Sequence, residues 1–372
     1  MPPGSAEEVA APPAPLRGTE AIVLVGGQGM RLRPLTLSAP KPMLPTAGVP
    51  FLGHLLARIR AAGIEHVVLG TSYKAEVFAE YFGDGSAFGI DLEYVVEREP
   101  LDTAGAIRNV LGRLREQDVL VFNGDVLSGV DLRKLVHTHR ENAADVTLHL
   151  VKVDDPRRFG CVPTDVDGRV TAFLEKTDHP PVDQINAGCY VFRRSVIESI
   201  PPDRPVSVER ETFPGLLAAG SRVQGHVDAS YWLDMGTPEA FVRGSADLVL
   251  GAMPSLAMPG DPGEALVLPG ARVESGASVT GGSTVGAGCV VAAGARITGS
   301  TLFDGARVEP NAVVERSVVG AGAQVGEGSV LRDTVIGDRV IIGAGCELLD
   351  GIRVWPDVEV PPFGIRFSAT GR

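Results

Sequence analysis

The sequence predicts a chain in two parts, a doubly wound α/β domain followed by a parallel β-helix. Two observations carry the first part. The short β-branched run Ala21-Ile22-Val23-Leu24-Val25 ends in a glycine-rich loop, the pattern of a buried parallel strand opening into a ligand loop. Further short strands alternate with segments of helical period, which implies a sheet whose ligands sit at the carboxyl ends of its strands. A third observation carries the second part. From Val267 onward apolar residues recur every six positions with small residues between them, a period that neither a helix nor a strand produces and that marks stacked hexapeptide coils.

With 372 residues, of which 44% are hydrophobic, the chain can bury at least one large core, and its length suggests two domains or more. A net charge of −12 argues against a nucleic-acid partner, since phosphate backbones demand a basic surface. Any basic site must be local. Cys161, Cys189, Cys289 and Cys346 are far apart and form no C-x-x-C pair, which indicates buried reduced thiols in a cytoplasmic protein rather than a zinc site or a disulfide framework. No apolar run approaches the roughly eighteen residues of a membrane span, and no basic-then-apolar leader opens the chain. Residues 1–17, rich in Ala, Pro and Glu, read as a disordered tail.

The stretch from Leu24 to Pro45, LVGGQGMRLRPLTLSAPKPMLP, concentrates the chemistry. Gly26, Gly27 and Gly29 can take positive φ and let backbone N–H groups approach a ligand, forming an anion-binding nest. Arg31, Arg33 and Lys41 add three cations within eleven residues. A nest and cations at a strand's carboxyl end suit phosphate groups. The order G-G-x-G-x-R fits neither the dinucleotide fingerprint G-x-G-x-x-G nor the P-loop G-x-x-x-x-G-K-[ST].

The run G-G-x-G-x-R-L-x-P-L-T followed by P-K-P resembles the signature of the sugar-1-phosphate nucleotidylyltransferases. The likeness spans about residues 19 to 360, and within the family it is to the bacterial enzymes that join GTP to mannose 1-phosphate. It implies a Rossmann-like nucleotidyltransferase domain with a mixed, mainly parallel sheet, then a left-handed parallel β-helix. The chain divides accordingly into a catalytic domain at 18–251, a Pro- and Gly-rich linker at 252–264, the hexapeptide domain at 265–362 and a tail at 363–372. The implied products are GDP-mannose and pyrophosphate, and the implied cofactor is Mg2+.

After the glycine loop, Pro50 to Ala62 places Phe51, Leu52, Leu55, Leu56 and Ile59 at helical period, and Gly63 caps its end. His66 to Gly70 and Leu92 to Val96 read as the next strands. The following loop, EREPLDTAG from Glu97 to Gly105, meets the nucleobase in the family, which usually carries leucine-glycine-threonine-alanine-glycine where this chain has Leu101-Asp102-Thr103-Ala104-Gly105. Asp102 departs from that pattern. Carboxylates at Glu97 and Asp102 could accept from guanine N1–H and N2–H2, whereas uracil and thymine offer a single imide N–H; equally, they could stand as solvated loop charges.

Asp118 to Asp125, DVLVFNGD, is an apolar strand ending in an acid. A carboxylate there can hold Mg2+ against nucleotide phosphates, because magnesium keeps several waters and takes one or two protein carboxylates. Asp234, within Tyr231-Trp232-Leu233-Asp234-Met235-Gly236, matches the family's second metal-binding aspartate. Val146 to Val153 reads as a strand, Phe159-Gly160-Cys161-Val162 as a turn, and Val170 to Lys176 as a strand ending in Glu175-Lys176. Gln184 to Phe192 supplies Asn186 and Gly188. Thr237 should cap a helix that runs to Gly251, with Pro238 and Glu239 in its first turn.

The resemblance assigns roles residue by residue. Arg31 would meet the β- and γ-phosphates, Lys41 and Lys176 the phosphates near the reacting centre, and Asp125 with Asp234 the metal. Leu24, Gly26, Gly27, Gly29, Met30, Glu97, Thr103, Ala104, Gly105, Asn123 and Gly124 would line the nucleotide, and Gly160, Glu175, Lys176, Asn186 and Gly188 the sugar phosphate.

In the repeat the apolar series runs Val267, Val273, Val279, Val285, Val291, Ile297, Phe303, Val308, Val314, Val319, Val325, Leu331, Ile336, Ile342, Leu348, Val354 and Val360. Three of its steps are five rather than six: 303 to 308, 314 to 319 and 331 to 336. Hexapeptide acyltransferases rely on a histidine base, and all seven histidines precede the repeat. Packing on the first domain and homo-oligomer formation are therefore the expected roles. Two other readings stay open: the same chemistry on glucose 1-phosphate with UTP, dTTP or ATP, and a non-catalytic subunit that binds nucleotide sugar. The presence of Arg31, Lys41, Asp125, Lys176 and Asp234 favours an active enzyme.

Overall fold

A computed structural model describes residues 16–72, 74–174 and 176–366. Most of the tail expected at 1–17 and the end of the tail expected at 363–372 lie outside the described residues, as does Glu175.

The first strand, β1 (Thr19–Leu24), is fully buried along most of its length and sends Ala21 and Val23 to one core and Ile22 to the other. That two-sided burial is why it reads as a continuous apolar run. The amphipathic helix α1 (Phe51–Ala61) covers one face and ends at Gly63, whose φ of 84° only glycine takes without strain. The remaining strands of the sheet are β2 (His66–Thr71), β3 (Asp91–Val96), β4 (Asp118–Asn123), β6 (Val146–Lys152), β7 (Gln184–Arg193) and β8 (Val223–Asp228). Among the described residues they form a seven-stranded sheet in the order β8-β6-β7-β4-β1-β2-β3. Only β7 runs antiparallel to its neighbours, so the sheet is mixed and mainly parallel, a Rossmann-like arrangement. β5 (Val126–Ser128) leaves the sheet and pairs antiparallel with β9 (Trp232–Asp234). Thr237 caps the helix Pro238–Val249, accepting from Ala240 N at 3.3 Å.

Two local expectations need correction. Of the three loop glycines only Gly29 adopts positive φ, at 60°. Gly26 serves close approach instead: a Cβ there would lie 2.9 Å from Ser72 Oγ. The segment from Val170 is not a regular strand, because it pairs only through isolated bridges, Thr164 with Val170 and Cys161 with Leu174. Pro163 lies between those two pairings and offers no N–H to a ladder.

The second part is a left-handed parallel β-helix whose stacked coils form three parallel sheets, one on each face. Register offsets are 18 residues from Ala265 to Ser283 and from Val335 to Arg353, and 17 from Thr284 to Thr301, Thr301 to Val318 and Val318 to Val335. Three coils are thus one residue shorter, and the first of the three short steps is Ile297 to Leu302 rather than 303 to 308. A hexapeptide coil turns the apolar residue of each step inward, and at one step that residue is Leu302 rather than the Phe303 of the series. Leu302, aligned with Val285 and Val319, fills the β-helix core. Phe303 points outward against Phe241, ring centroids 6.3 Å apart. It belongs to an apolar interface in which Leu35, Phe51, Met235 and Leu248 of the α/β part meet Leu266, Val318 and Val335. Each such side chain removed from water contributes roughly 1.5–3 kcal/mol, so the β-helix is firmly seated on the α/β domain.

Candidate active site

The carboxyl ends of β1 through β4 open into a cleft of about 790 Å³. Leu24, Gly26, Gly27, Gly29 and Met30 form one wall, followed by Arg31 and Lys41. Asn123, Gly124 and Asp125 form the floor at the end of β4, and Glu97 and Thr103 the opposite wall. Glycine is required at 124: a Cβ would sit 2.7 Å from Leu24 O. Gly29 packs equally closely, its missing Cβ 2.8 Å from Thr36 Cγ2 and 3.2 Å from Lys41 Cβ. Thr36 Oγ1 donates to Gly29 O at 2.9 Å and ties the loop to the turn that follows.

The charged centre is built by backbone pairing. β9 lies against β5 with Asp234 opposite Val126, and Met235 N donates to Asp125 O at 3.1 Å. The two aspartates, 109 positions apart in sequence, are thereby fixed side by side. Lys41, in a 3₁₀ turn opened by Pro40 and Pro42, is nearly buried and places Nζ 2.9 Å from Asp125 Oδ2 and 3.8 Å from Asp234 Oδ1. Burial raises the Asp234 pKa; Lys41 and Arg31 pull it down, while the Asp125 charge pushes it up. Arg31 reaches the same corner, since a Cβ on Gly236 would fall 2.7 Å from its Nη2. Two carboxylates held together beside this cleft are a donor set that suits a hard divalent cation with water completing its shell.

On the opposite wall Glu97 is half-buried, and burial raises its pKa against one weak backbone hydrogen bond from Leu101 N. Asp102 takes a φ of 56° and is engaged within the protein, by Thr103 N at 2.7 Å and Arg210 Nη2 at 2.8 Å. Both carboxylates line the cleft, and Glu97, with one 3.5 Å backbone hydrogen bond, is the less engaged of the two. Ala104 and Gly105 open a helix (Asp102–Asn109) and give their amides to Val206 O, so they hold the loop from beneath. Thr103 Oγ1 accepts from Val208 N at 2.9 Å.

Beyond the floor lies a polar cluster. Asn186 Nδ2 donates to Glu209 Oε1 at 2.6 Å and to Tyr190 Oη at 2.8 Å, and its Oδ1 accepts from Gly188 N at 3.0 Å. Gly188 permits Asn123 to approach, for a Cβ would meet Asn123 Nδ2 at 2.8 Å. Trp232 Nε1 donates to Ala187 O at 3.0 Å, and its ring meets Phe159 edge-on, which sets Gly160 beside β9. Lys176 is exposed and is not among the residues lining the cleft.

This geometry can be set against known proteins. The Nucleotidyl transferase family matches residues 20–249, more than half of the chain, and the GMPPB C-terminal domain matches residues 262–361. The chain belongs to the nucleotidyl transferase family. A mannose-1-phosphate guanylyltransferase of Mycobacterium tuberculosis is 63% identical over 94% of this chain and 98% of its own length. A D-glycero-alpha-D-manno-heptose 1-phosphate guanylyltransferase of Aneurinibacillus thermoaerophilus is 37% identical over 62% of this chain and 98% of its own. Among solved structures, HddC from Yersinia pseudotuberculosis complexed with GMP-PN superposes with a TM-score of 0.55 at 28% identity, covering 62% of this chain and 99% of that one.

Three residues of this nucleotidyl transferase were not singled out from sequence. Glu209 and Arg210 sit in the irregular turn Val208–Thr212 and face Asn186 and Asp102. Arg353, on the β-helix, reaches the glycine loop. A faint signal existed for the first pair, an alternating Glu-Arg-Glu run after Val206-Ser207-Val208; none existed for Arg353. No helix among the described residues is long and apolar enough to cross a membrane.

Proposed function

We infer that the chain is a mannose-1-phosphate guanylyltransferase, making GDP-mannose and pyrophosphate from GTP and mannose 1-phosphate. The observation that carries this reading is the 63% identity to a protein of that name along 98% of its length. Guanylyl transfer is common to the names of both relatives, and a half-buried Glu97 beside the cleft suits the N1–H and N2–H2 of guanine.

A phosphate oxygen of mannose 1-phosphate is already ionised near neutral pH, so it needs no general base. It forms a bond to the α-phosphorus of GTP while the α–β bridging bond breaks in line and its electron pair leaves with pyrophosphate. The protein's part is positioning and charge neutralisation. Arg31 and the loop amides receive the β- and γ-phosphates, and Lys41 neutralises charge at the reacting centre. Lys176, Asn186 and the residues around them take the sugar phosphate. Asp125 and Asp234 would hold Mg2+, which supplies Lewis-acid neutralisation of the phosphate charge. On this reading residues 18–251 are the catalytic domain and 265–362 the β-helix, joined by 252–264, and the chain acts in the cytoplasm as a homo-oligomer associated through the β-helix.

The test is pyrophosphate release by the purified protein with Mg2+, crossing GTP, UTP, dTTP and ATP against mannose 1-phosphate and glucose 1-phosphate. Release confined to GTP with mannose 1-phosphate is expected. Release with another pair would change the product, and none with any pair would point to a non-catalytic binder.

A further inference from the structure

We propose that Arg353 of the β-helix is a positioning residue of the catalytic cleft, holding the glycine loop so that Arg31 faces the triphosphate. The inference rests on the functional reading above. Arg353 Nη1 donates to Arg31 O at 2.7 Å and to Arg33 O at 2.9 Å, across more than 300 residues of sequence. Its strand, Arg353–Val354, belongs to the same β-helix sheet that seats on the α/β domain through Val318 and Val335.

The loop needs such a partner. A 3₁₀ turn would return the Arg31 carbonyl to the N–H three residues on, but that residue is Pro34, which has none. The β-helix supplies the missing donor from a rigid strand rather than from the loop itself. Arg31 is then held at both ends, its carbonyl by Arg353 and its guanidinium against Gly236 beside Asp234. Nη1 alone gives its two N–H groups to the two carbonyls, and the planarity of the guanidinium fixes the directions of those N–H groups where a freely rotating ammonium does not.

The position of Arg31 points the same way. Of these three arginines it is Arg31 whose side chain lines the cleft, while Arg353 holds the backbone on either side of Leu32 through the Arg31 and Arg33 carbonyls. On the functional reading above, Arg31 meets the β- and γ-phosphates. The part of the substrate that Arg353 governs is therefore the β,γ-pyrophosphate, not the sugar. Through this contact the β-helix contributes to binding GTP.

The experiment uses the full chain carrying Arg353→Ala, Arg353→Lys, Arg31→Ala, the Arg31→Ala/Arg353→Ala double variant, and Arg339→Ala. Arg339 pairs with Asp357 at 2.6 Å on the β-helix surface and makes no contact with the loop, so it reports purely structural loss. Calorimetric Kd values for pyrophosphate with Mg2+ are measured alongside steady-state KM for GTP and mannose 1-phosphate, with Tm for every variant. Arg353→Ala should weaken pyrophosphate and raise the GTP KM by roughly 5- to 20-fold, the scale of losing charge-assisted hydrogen bonds, with the mannose 1-phosphate KM within about twofold. Arg353→Lys should recover part of this. Arg339→Ala should alter Tm alone, and adding Arg353→Ala to Arg31→Ala should change pyrophosphate affinity less than about twofold. Unchanged pyrophosphate affinity in folded Arg353→Ala, equal weakening of both substrates, or fully multiplicative effects with Arg31→Ala would each overturn the proposal. Pyrophosphate binding is read without turnover, so a wild type that uses a different substrate pair fails the functional reading and leaves this test standing.

Discussion

Lys41 and Asp125, 84 positions apart in sequence, meet in a 2.9 Å ion pair at the cleft. The lysine is nearly buried and the aspartate side chain about two-fifths exposed, so the pair stands where protein gives way to a ligand space. Surface ion pairs of ordinary kind add little to stability. This one instead places a cation between two carboxylates, at a spot where phosphate charge would otherwise need compensation.

Lys41→Ala and Asp125→Asn should each lower kcat at least about 100-fold, the scale of removing one preorganised electrostatic donor. Far-ultraviolet circular dichroism and Tm should stay near wild type. Near-normal turnover in both variants would remove these residues from the reacting centre.

Gly236→Ala places a methyl 2.7 Å from Arg31 Nη2 and 3.0 Å from Asp234 Oδ1. Both obstacles are side-chain ends, and the arginine is the nearer and the more flexible, so the fold should persist while the guanidinium is displaced. The KM for GTP should rise about tenfold, as for a lost charge-assisted contact, with the KM for mannose 1-phosphate little changed. Equal change in both would show that the methyl disturbs more than Arg31.

Asn186 has both amide protons committed, to Glu209 and Tyr190. A sugar hydroxyl approaching this cluster therefore meets the Glu209 carboxylate as its acceptor. Glu209→Ala should raise the KM for mannose 1-phosphate about tenfold, by loss of a hydrogen bond to a charged group, and leave the KM for GTP within about twofold. An unchanged mannose 1-phosphate KM would assign Glu209 a purely structural part.

Glu97→Gln keeps the shape of the side chain and removes its charge. If Glu97 accepts from guanine, the ratio of kcat/KM for GTP over UTP should fall about tenfold or more. A ratio equal to wild type would leave base selection to the backbone of the loop.

His139 gives the stability a pH dependence of known sign. It is fully buried, its Nδ1 hydrogen-bonds Thr147 Oγ1 at 3.0 Å, and its Nε2 has no partner, with Asp118 3.7 Å away. Burial, against the pull of Asp118 and with the push of Arg193 and Arg140, lowers its pKa to about 4. The unfolded chain takes up this proton first, near pH ~6.5, so stability is fully present above that pH and falls as pH drops toward 4, by at most about 3 kcal/mol. Urea melts of wild type and His139→Gln across this window should converge at the acid end. Parallel curves would contradict the assignment.

How legible this molecule is from sequence depends on the range of the interaction. The strand at Ala21, the cap at Thr237 and the six-residue repeat follow from local periods and spacing, and they could be read directly. The aspartates at 125 and 234 could be matched to a family, but their meeting depends on the pairing of two short strands outside the main sheet. Leu302 and Phe303 are both apolar and either fits the six-residue series, and only the docking of Phe241 decides which of the two turns outward. Arg353 carries no local signal, since its partners lie more than 300 positions away, and Glu209 carries only the faint Glu-Arg-Glu alternation. The strand expected from Val170 failed on the pairing side, where Pro163 supplies no donor.

The most direct test of the central claim runs the reaction backwards. Wild type and Lys41→Ala are incubated with Mg2+, pyrophosphate and GDP-mannose, and in parallel with UDP-glucose, and the nucleoside triphosphate formed is separated and quantified. The account predicts GTP from GDP-mannose, at a rate at least about 100-fold lower in Lys41→Ala, and no UTP. UTP from UDP-glucose with no GTP, or equal rates in the two proteins, would contradict it.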